Sequence, residues 1–139
     1  MKYQPDDLEL ETAKVKQDTT LESLRFTEEA LRGAKANASK EAAPFLKNLS
    51  LATKIGELPY FKGTGCDQCG GTGTKGRQGL YEVMFMNAVL RKLILQNVGA
   101  AEIRDGAVEQ GMLTLRMDGW LKVMKGVVPL EQVIRETTA

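Results

Sequence analysis

The sequence predicts an α+β fold that is mostly α: a short β-ribbon carrying a Cys-x-x-Cys turn, followed by a bundle of about four short helices. Three observations lead there. Gly63 to Met86 holds Cys66 and Cys69 among glycines and small polar residues, a composition that permits left-handed and close-approach backbone. Gly79–Met86 alternates, with Leu80, Glu82 and Met84 on one face and Tyr81, Val83 and Phe85 on the other, the pattern of a strand. From Asn87 onward apolar residues recur at helical spacing between cap and stop signals.

In chain order, residues 1 to about 18 are polar, with Pro5-Asp6-Asp7 and an unpatterned charge mix. Little fixed structure is expected of them. Leu21, Leu24 and Leu31 share a helical stripe that Gly33 would end. AKANASKEAA then reads as a linker, and Pro44 suits the first turn of a short amphipathic segment. Residues 1–50 are thus expected to form a weakly structured helical segment or linker.

Residues 51–86 form the ribbon unit. Leu58-Pro59-Tyr60-Phe61 suits an edge strand, because proline cannot donate to an inner ladder. Paired with 79–86, it would leave the cysteines at the tip. In the helical unit, 87–139, Asn87 caps a helix in which Val89, Leu90, Leu93 and Ile94 form an apolar stripe. A second helix over 101–110 turns Ile103 and Ala107 inward and stops at Gly111. Thr114 caps a third, whose Met117, Trp120, Leu121 and Met124 form a buried stripe, and Gly126 ends it. Pro129 opens the last, with Leu130, Val133 and Ile134 on one face. Arg116 and Asp118 are expected to form a local surface pair.

Bulk numbers exclude several function classes. Net charge is +1, from 19 basic and 18 acidic residues, which makes no electrostatic case for nucleic acid. The start of the chain lacks the apolar core of a signal peptide, so a cytoplasmic setting is expected, with the cysteines reduced or metal-bound. Histidine is absent, so Ser-His and Cys-His catalysis and His-ligated metal are excluded within the chain. No G-x-x-x-x-G-K-[S/T] phosphate loop occurs either.

Cys66 and Cys69 have the spacing of half a four-cysteine zinc site. Two thiolates leave half the coordination open, with only carboxylates such as Asp67 at hand. A filled site is therefore not expected in one chain alone, whereas a dimer supplies four thiolates. A redox dithiol is disfavoured, since the motif opens no helix that would lower a thiol pKa.

GCDQCGGTGTKGRQGLYEVM, LRKLI, EIRDGAVEQGMLTLRMDGWLKVMKG and PLEQVIRET resemble the C-terminal part of the type II secretion and type IV pilus assembly ATPases, over about Phe61 to Thr137. The resemblance implies a module that follows the P-loop core of a hexameric bacterial motor. It would comprise a zinc subdomain, normally with two Cys-x-x-Cys pairs, and a helical subdomain that packs on the core and makes subunit contacts. On that basis Cys66 and Cys69 are the downstream zinc pair, and Arg77 lies near the nucleotide phosphates. ATP and Mg would enter through the P-loop core. Partners would be that core, neighbouring subunits and an inner-membrane platform protein, with the module at most peripheral to the membrane.

The chain departs from that pattern. It has neither Walker box, so no ATP hydrolysis is expected of it alone. It also lacks an upstream cysteine pair: Ala36 and Ser39 stand at the matching spacing. CDQCGGTG also fits one repeat of the zinc domain of DnaJ-type chaperones. The competing expectation is a free-standing zinc-ribbon-like adaptor or chaperone-type protein-binding module.

Overall fold

The computed structural model describes residues 1–137; the last two positions of the expected helical unit, 138 and 139, lie outside the described residues. Its elements are β1 (Lys2–Tyr3), α1 (Asp7–Thr12), α2 (Glu28–Ala36), β2 (Tyr60–Phe61), α3 (Ala88–Leu95), α4 (Ala100–Glu109), α5 (Leu115–Met124) and α6 (Leu130–Thr137). Single 3-10 turns occur at Ala43–Leu46, Ile55–Glu57 and Asp67–Cys69. The fold is mostly helical with one small antiparallel sheet, as the sequence predicts.

Helix α5 is the centre of the core. Its Met117, Trp120, Leu121, Val123 and Met124 are all buried. They meet Leu130, Val133 and Ile134 of α6 and Leu31 and Ala34 of α2 in one cluster. Gly119 is what lets α6 come so near: a Cβ there would stand 2.4 Å from Val133 Cγ1. Trp120 meets the Tyr60 ring edge-on, centroids 6.3 Å apart, an arrangement the ring quadrupoles favour. The caps read from sequence are in place. Asn87 accepts from the Leu90 N–H at 2.9 Å, and Thr114 from the Met117 N–H at 3.2 Å. Gly111 and Gly126 take positive φ, 101° and 77°, where a side chain would be strained.

Four expectations are corrected. The partner of Tyr60–Phe61 is Lys2–Tyr3, in the register Lys2↔Phe61 and Tyr3↔Tyr60, whereas Gly79–Met86 is in no strand. The N-terminal strand already satisfies that ladder, extended by reciprocal 3.0 Å bonds between Met1 and Lys62.

The first fifty residues are more ordered than their composition suggests. Asp6 caps α1 by accepting from the Glu9 N–H at 2.8 Å. Leu10, Val15, Leu21 and Phe26 join the common core. Their apolar residues are spaced for turns and bridges, such as Thr20 with Lys54, so no single period reveals them.

The helix foreseen over 20–31 begins only at Glu28, capped by Thr27, and runs through Gly33 to Ala36. There the Asn37 side-chain amide donates to the Gly33 carbonyl at 2.9 Å and closes the last turn.

The stripe of α3 is buried only at Leu90; Val89 and Ile94 stay exposed. Helix α3 packs on α4, where Gly106 admits the Leu93 side chain, and the hairpin presents its remaining apolar face outward.

Candidate functional site

Three features converge on the stretch between β2 and α3. The first is the cysteine knuckle. After the Asp67–Cys69 turn, Gly70 takes a left-handed φ of 66° and reverses the chain. The two arms of the loop then pass so closely that a Cβ on Gly63 would lie 1.8 Å from the Gly73 carbonyl oxygen. Only glycine permits that approach. The fold brings the two sulfurs to 3.7 Å. Cys69 Sγ accepts backbone N–H groups from Cys66 at 3.1 Å and Gly73 at 3.2 Å. These donors, Cys66 foremost, draw the Cys69 thiol down to about 7, because N–H groups aimed at sulfur favour the thiolate. So the loop lowers a thiol pKa without opening an α-helix.

As a closed zinc site the knuckle is incomplete: among the described residues no group of three or more Cys, His, Asp or Glu side chains could hold a metal. Ser39, at one of the positions where an upstream cysteine would fall, is engaged as a cap. Its hydroxyl accepts from the Ala42 N–H at 3.2 Å, and its own N–H donates to the Lys125 carbonyl at 2.8 Å. Ala36 is the last residue of α2. One chain therefore offers two thiolates where a structural zinc takes four ligands.

The second feature is a cleft of about 1100 Å³ between the 73–78 turn, Phe61–Gly63 and the 126–133 region. Arg77 and Lys75 line it with Lys62 and Arg135, and so do the carboxylates of Glu41 and Glu136. Arg77 is exposed, and its guanidinium is in no ion pair among the described residues. Its planar donor fork is free to meet a phosphate or carboxylate.

The third is the run after the cleft, Gly79–Met86, which is anchored by backbone and side-chain bonds to α5. The Tyr81 N–H donates to Asp118 Oδ2 at 2.9 Å, and Glu82 Oε2 accepts from the Leu115 N–H at 2.7 Å. Glu82 thus supplements Thr114 at the start of α5, where its charge also suits the helix dipole. Asp118 pairs with Lys122 at 2.5 Å in a largely shielded setting, and the Lys122 ammonium lies 5.0 Å from the Tyr81 ring centre.

The expected Arg116–Asp118 pair does not form. One turn apart on a helix means i and i+4, which Asp118 and Lys122 satisfy and residues two apart do not. Arg116 turns the other way and donates to the Thr137 hydroxyl, the Thr137 carbonyl and the Ala13 carbonyl at 3.0–3.2 Å. It thereby ties the C-terminal ends of α1 and α6 to α5.

Fastened by the Tyr81 N–H and the Glu82 carboxylate, the run leaves its apolar side chains from Tyr81 to Met86 exposed. Phe85 is 80% exposed, and Tyr81, Val83, Met84 and Met86 are exposed with it. On α3, Val89, Ile94 and Leu95 are exposed too, Leu95 by 80%. Eight large apolar side chains within fifteen residues are more than scattered surface hydrophobes, and a concentration of this kind marks an interaction site. From the sequence, Tyr81, Val83, Met84 and Phe85 are expected on the faces of a strand, and Val89 and Ile94 in the apolar stripe of a helix. The signal that could have separated the cases was the absence of matching apolar stripes to cover both.

Among the described residues no helix is long and apolar enough to cross a membrane. The family model described as "Type II/IV secretion system protein" matches residues 28–135. Among curated relatives, the chain is 42% identical over 93 residues to a type IV pilus assembly ATPase PilB of Thermus thermophilus, covering 66% of this chain and 10% of that protein. It is 38% identical over 84 residues to the PilB of Myxococcus xanthus, covering 60% of this chain and 15% of that protein. To the type II secretion system ATPase E of Vibrio cholerae it is 31% identical over 80 residues, 58% of this chain and 16% of that protein. The chain thus spans between a tenth and a sixth of the length of these relatives. With the family match running from α2 to the last turn of α6, the chain belongs to the type II/IV secretion system protein family.

Proposed function

We propose that this chain is a non-catalytic C-terminal module of a traffic ATPase that drives type IV pilus assembly or type II secretion, and that it docks on a P-loop core and carries that core's movement to neighbouring subunits. The observation that carries the reading is the apolar surface of Tyr81–Met86 and α3. It is fastened to α5 by Glu82 and Asp118 yet left exposed by the described residues. A body of complementary apolar surface fits it, and the named relatives are ATPases of which this chain matches a small part.

On this reading ATP and Mg bind the P-loop core, which performs the hydrolysis. Arg77, uncommitted at the mouth of the cleft, reaches toward the nucleotide phosphates. The α5–α6 body moves with the 79–86 run, because two carboxylates bond that run's register to the start of α5. Subunits so linked close a hexamer at the cytoplasmic face of the inner membrane, where a platform protein receives the movement. Cys66 and Cys69 would hold a structural zinc in such an assembly, and the metal's part would be to stiffen the glycine loop.

The test is reconstitution. The chain is mixed with the P-loop core of the Thermus thermophilus relative lacking its matching segment, and oligomer mass and ATP turnover are measured. Association with a change in turnover is expected. If neither mass nor turnover changes, the module reading fails, and a nucleotide-independent adaptor takes its place.

A further inference from the structure

The α3–α4 hairpin stands apart from the rest of the chain in its packing. Helix α3 packs on α4, while α5 packs on α6 and α2. Leu90, Ala107 and Val108 are buried, yet none of them belongs to the apolar cluster that α5 shares with α6, α2 and the first sixty residues. The hairpin follows the 79–86 run, which is fastened to α5 at Tyr81 and Glu82, so Met86–Asn87 lies beyond those bonds. At the other end Gly111 takes a φ of 101°, where glycine leaves the backbone free to turn. A groove of about 340 Å³ runs along the boundary, lined by Tyr81, Val83 and Asp118 outside the hairpin and by Leu90 and Ala107 within it. Arg25 bridges the same boundary. Its guanidinium meets Asp105 at 3.1 Å and Glu109 at 3.8 Å. Those carboxylates are one turn apart on α4, and Ala107 stands about half a turn round the helix from both.

We propose that the α3–α4 hairpin is a two-position lever, latched in the observed position by Arg25 and pivoting at Met86–Asn87 and Gly111 to close the groove when Arg25 releases Asp105 and Glu109. Arg25 holds α4 from the side away from Ala107, so its release frees the helix to move toward the groove. Closure brings Val83 against Leu90 and Ala107, and removing apolar surface from water favours it. The latch is weak by construction: all three of its side chains are exposed, and exposed ion pairs contribute little and yield to salt. Arg25 also takes a φ of 69°, a region that favours glycine, so the guanidinium is kept there against backbone strain. The lever is a property of the chain by itself and does not depend on docking to a P-loop core.

The test is a distance measurement by double electron–electron resonance on the whole chain. Spin labels are placed at Glu29→Cys on α2 and Lys92→Cys on α3, with Cys66→Ser and Cys69→Ser so that only these sites react. The distribution is compared with that of the same chain carrying Arg25→Gly, which removes the latch and suits the local backbone, and of one carrying Asp105→Asn/Glu109→Gln. Both variants are expected to raise the population of a second distance roughly 2- to 5-fold, and added salt to do the same in the parent. Hydrogen exchange should find the α3 and α4 amides as protected as before, since the hairpin moves without melting. An unchanged distribution in both variants, a response to one without the other, or loss of protection in α3 and α4 would each overturn the lever. None of these outcomes bears on binding to the P-loop core, which is read from reconstitution.

Discussion

Replacing Phe85 and Leu95 by serine separates docking from folding. Both side chains are 80% exposed, so neither contributes appreciably to the isolated chain, and its stability should change by no more than about 0.5 kcal/mol. In a docked complex the same exposure becomes burial. Fully covering a Leu or Phe side chain is worth about 1.5–3 kcal/mol, so four-fifths of it comes to about 2 kcal/mol for each residue. That amounts to roughly 30-fold in affinity per residue, and roughly 1000-fold for the pair where the sites act independently. The assay is titration of the chain into the P-loop core, read by calorimetry or sedimentation, with thermal melting of each variant alone. Leu8, 72% exposed on α1, is the control: Leu8→Ser should leave binding unchanged. Wild-type affinity in the double variant, or equal weakening by Leu8→Ser, would refute the assignment of this surface.

Two glycines in helices should respond oppositely to alanine. Gly33→Ala meets nothing within 4 Å and should stabilise α2 by about 1 kcal/mol. Gly119→Ala drives a methyl into the stiff Val133 side chain and should lose about 1–3 kcal/mol to overpacking, and paired thermal melts read both signs. Arg116→Ala should cost roughly 1–3 kcal/mol, because it strands the carbonyls of Ala13 and Thr137. In a double-mutant cycle with Asp118→Ala by urea unfolding the coupling should stay within about 0.5 kcal/mol, since the two side chains bond different partners. The buried Tyr60 donates its hydroxyl to the Ile55 carbonyl at 2.7 Å, and desolvation pushes its pKa up. Folding therefore retains the Tyr60 proton that the unfolded chain releases above about pH 10, and stability should fall by up to about 1.4 kcal/mol per pH unit beyond that point. Tyr60→Phe should flatten that slope in alkaline urea titrations.

What could be read from the residues alone was local. Asn87, Thr114 and Pro129 open helices, and Gly111 and Gly126 end them, because a cap or a positive φ is decided within four residues of chain. The buried stripe of Met117, Trp120, Leu121 and Met124 was legible for the same reason: one helix of fixed period carries all four. The cysteine pair too was legible as half a site, its spacing being covalent.

Tertiary structure alone decided which segments meet. The 79–86 run has the alternation of a strand, but strand pairing depends on a partner's free ladder, and Lys2–Tyr3 occupies the one at Tyr60–Phe61. Likewise Asp118 has basic neighbours at two and four residues, and only helix rotation selects Lys122 and sends Arg116 to the ends of α1 and α6. The exposed face of Tyr81–Met86 and α3 follows from the same cause. Apolar periodicity tells which side chains seek cover, while whether a covering surface reaches them is decided by how the other elements pack.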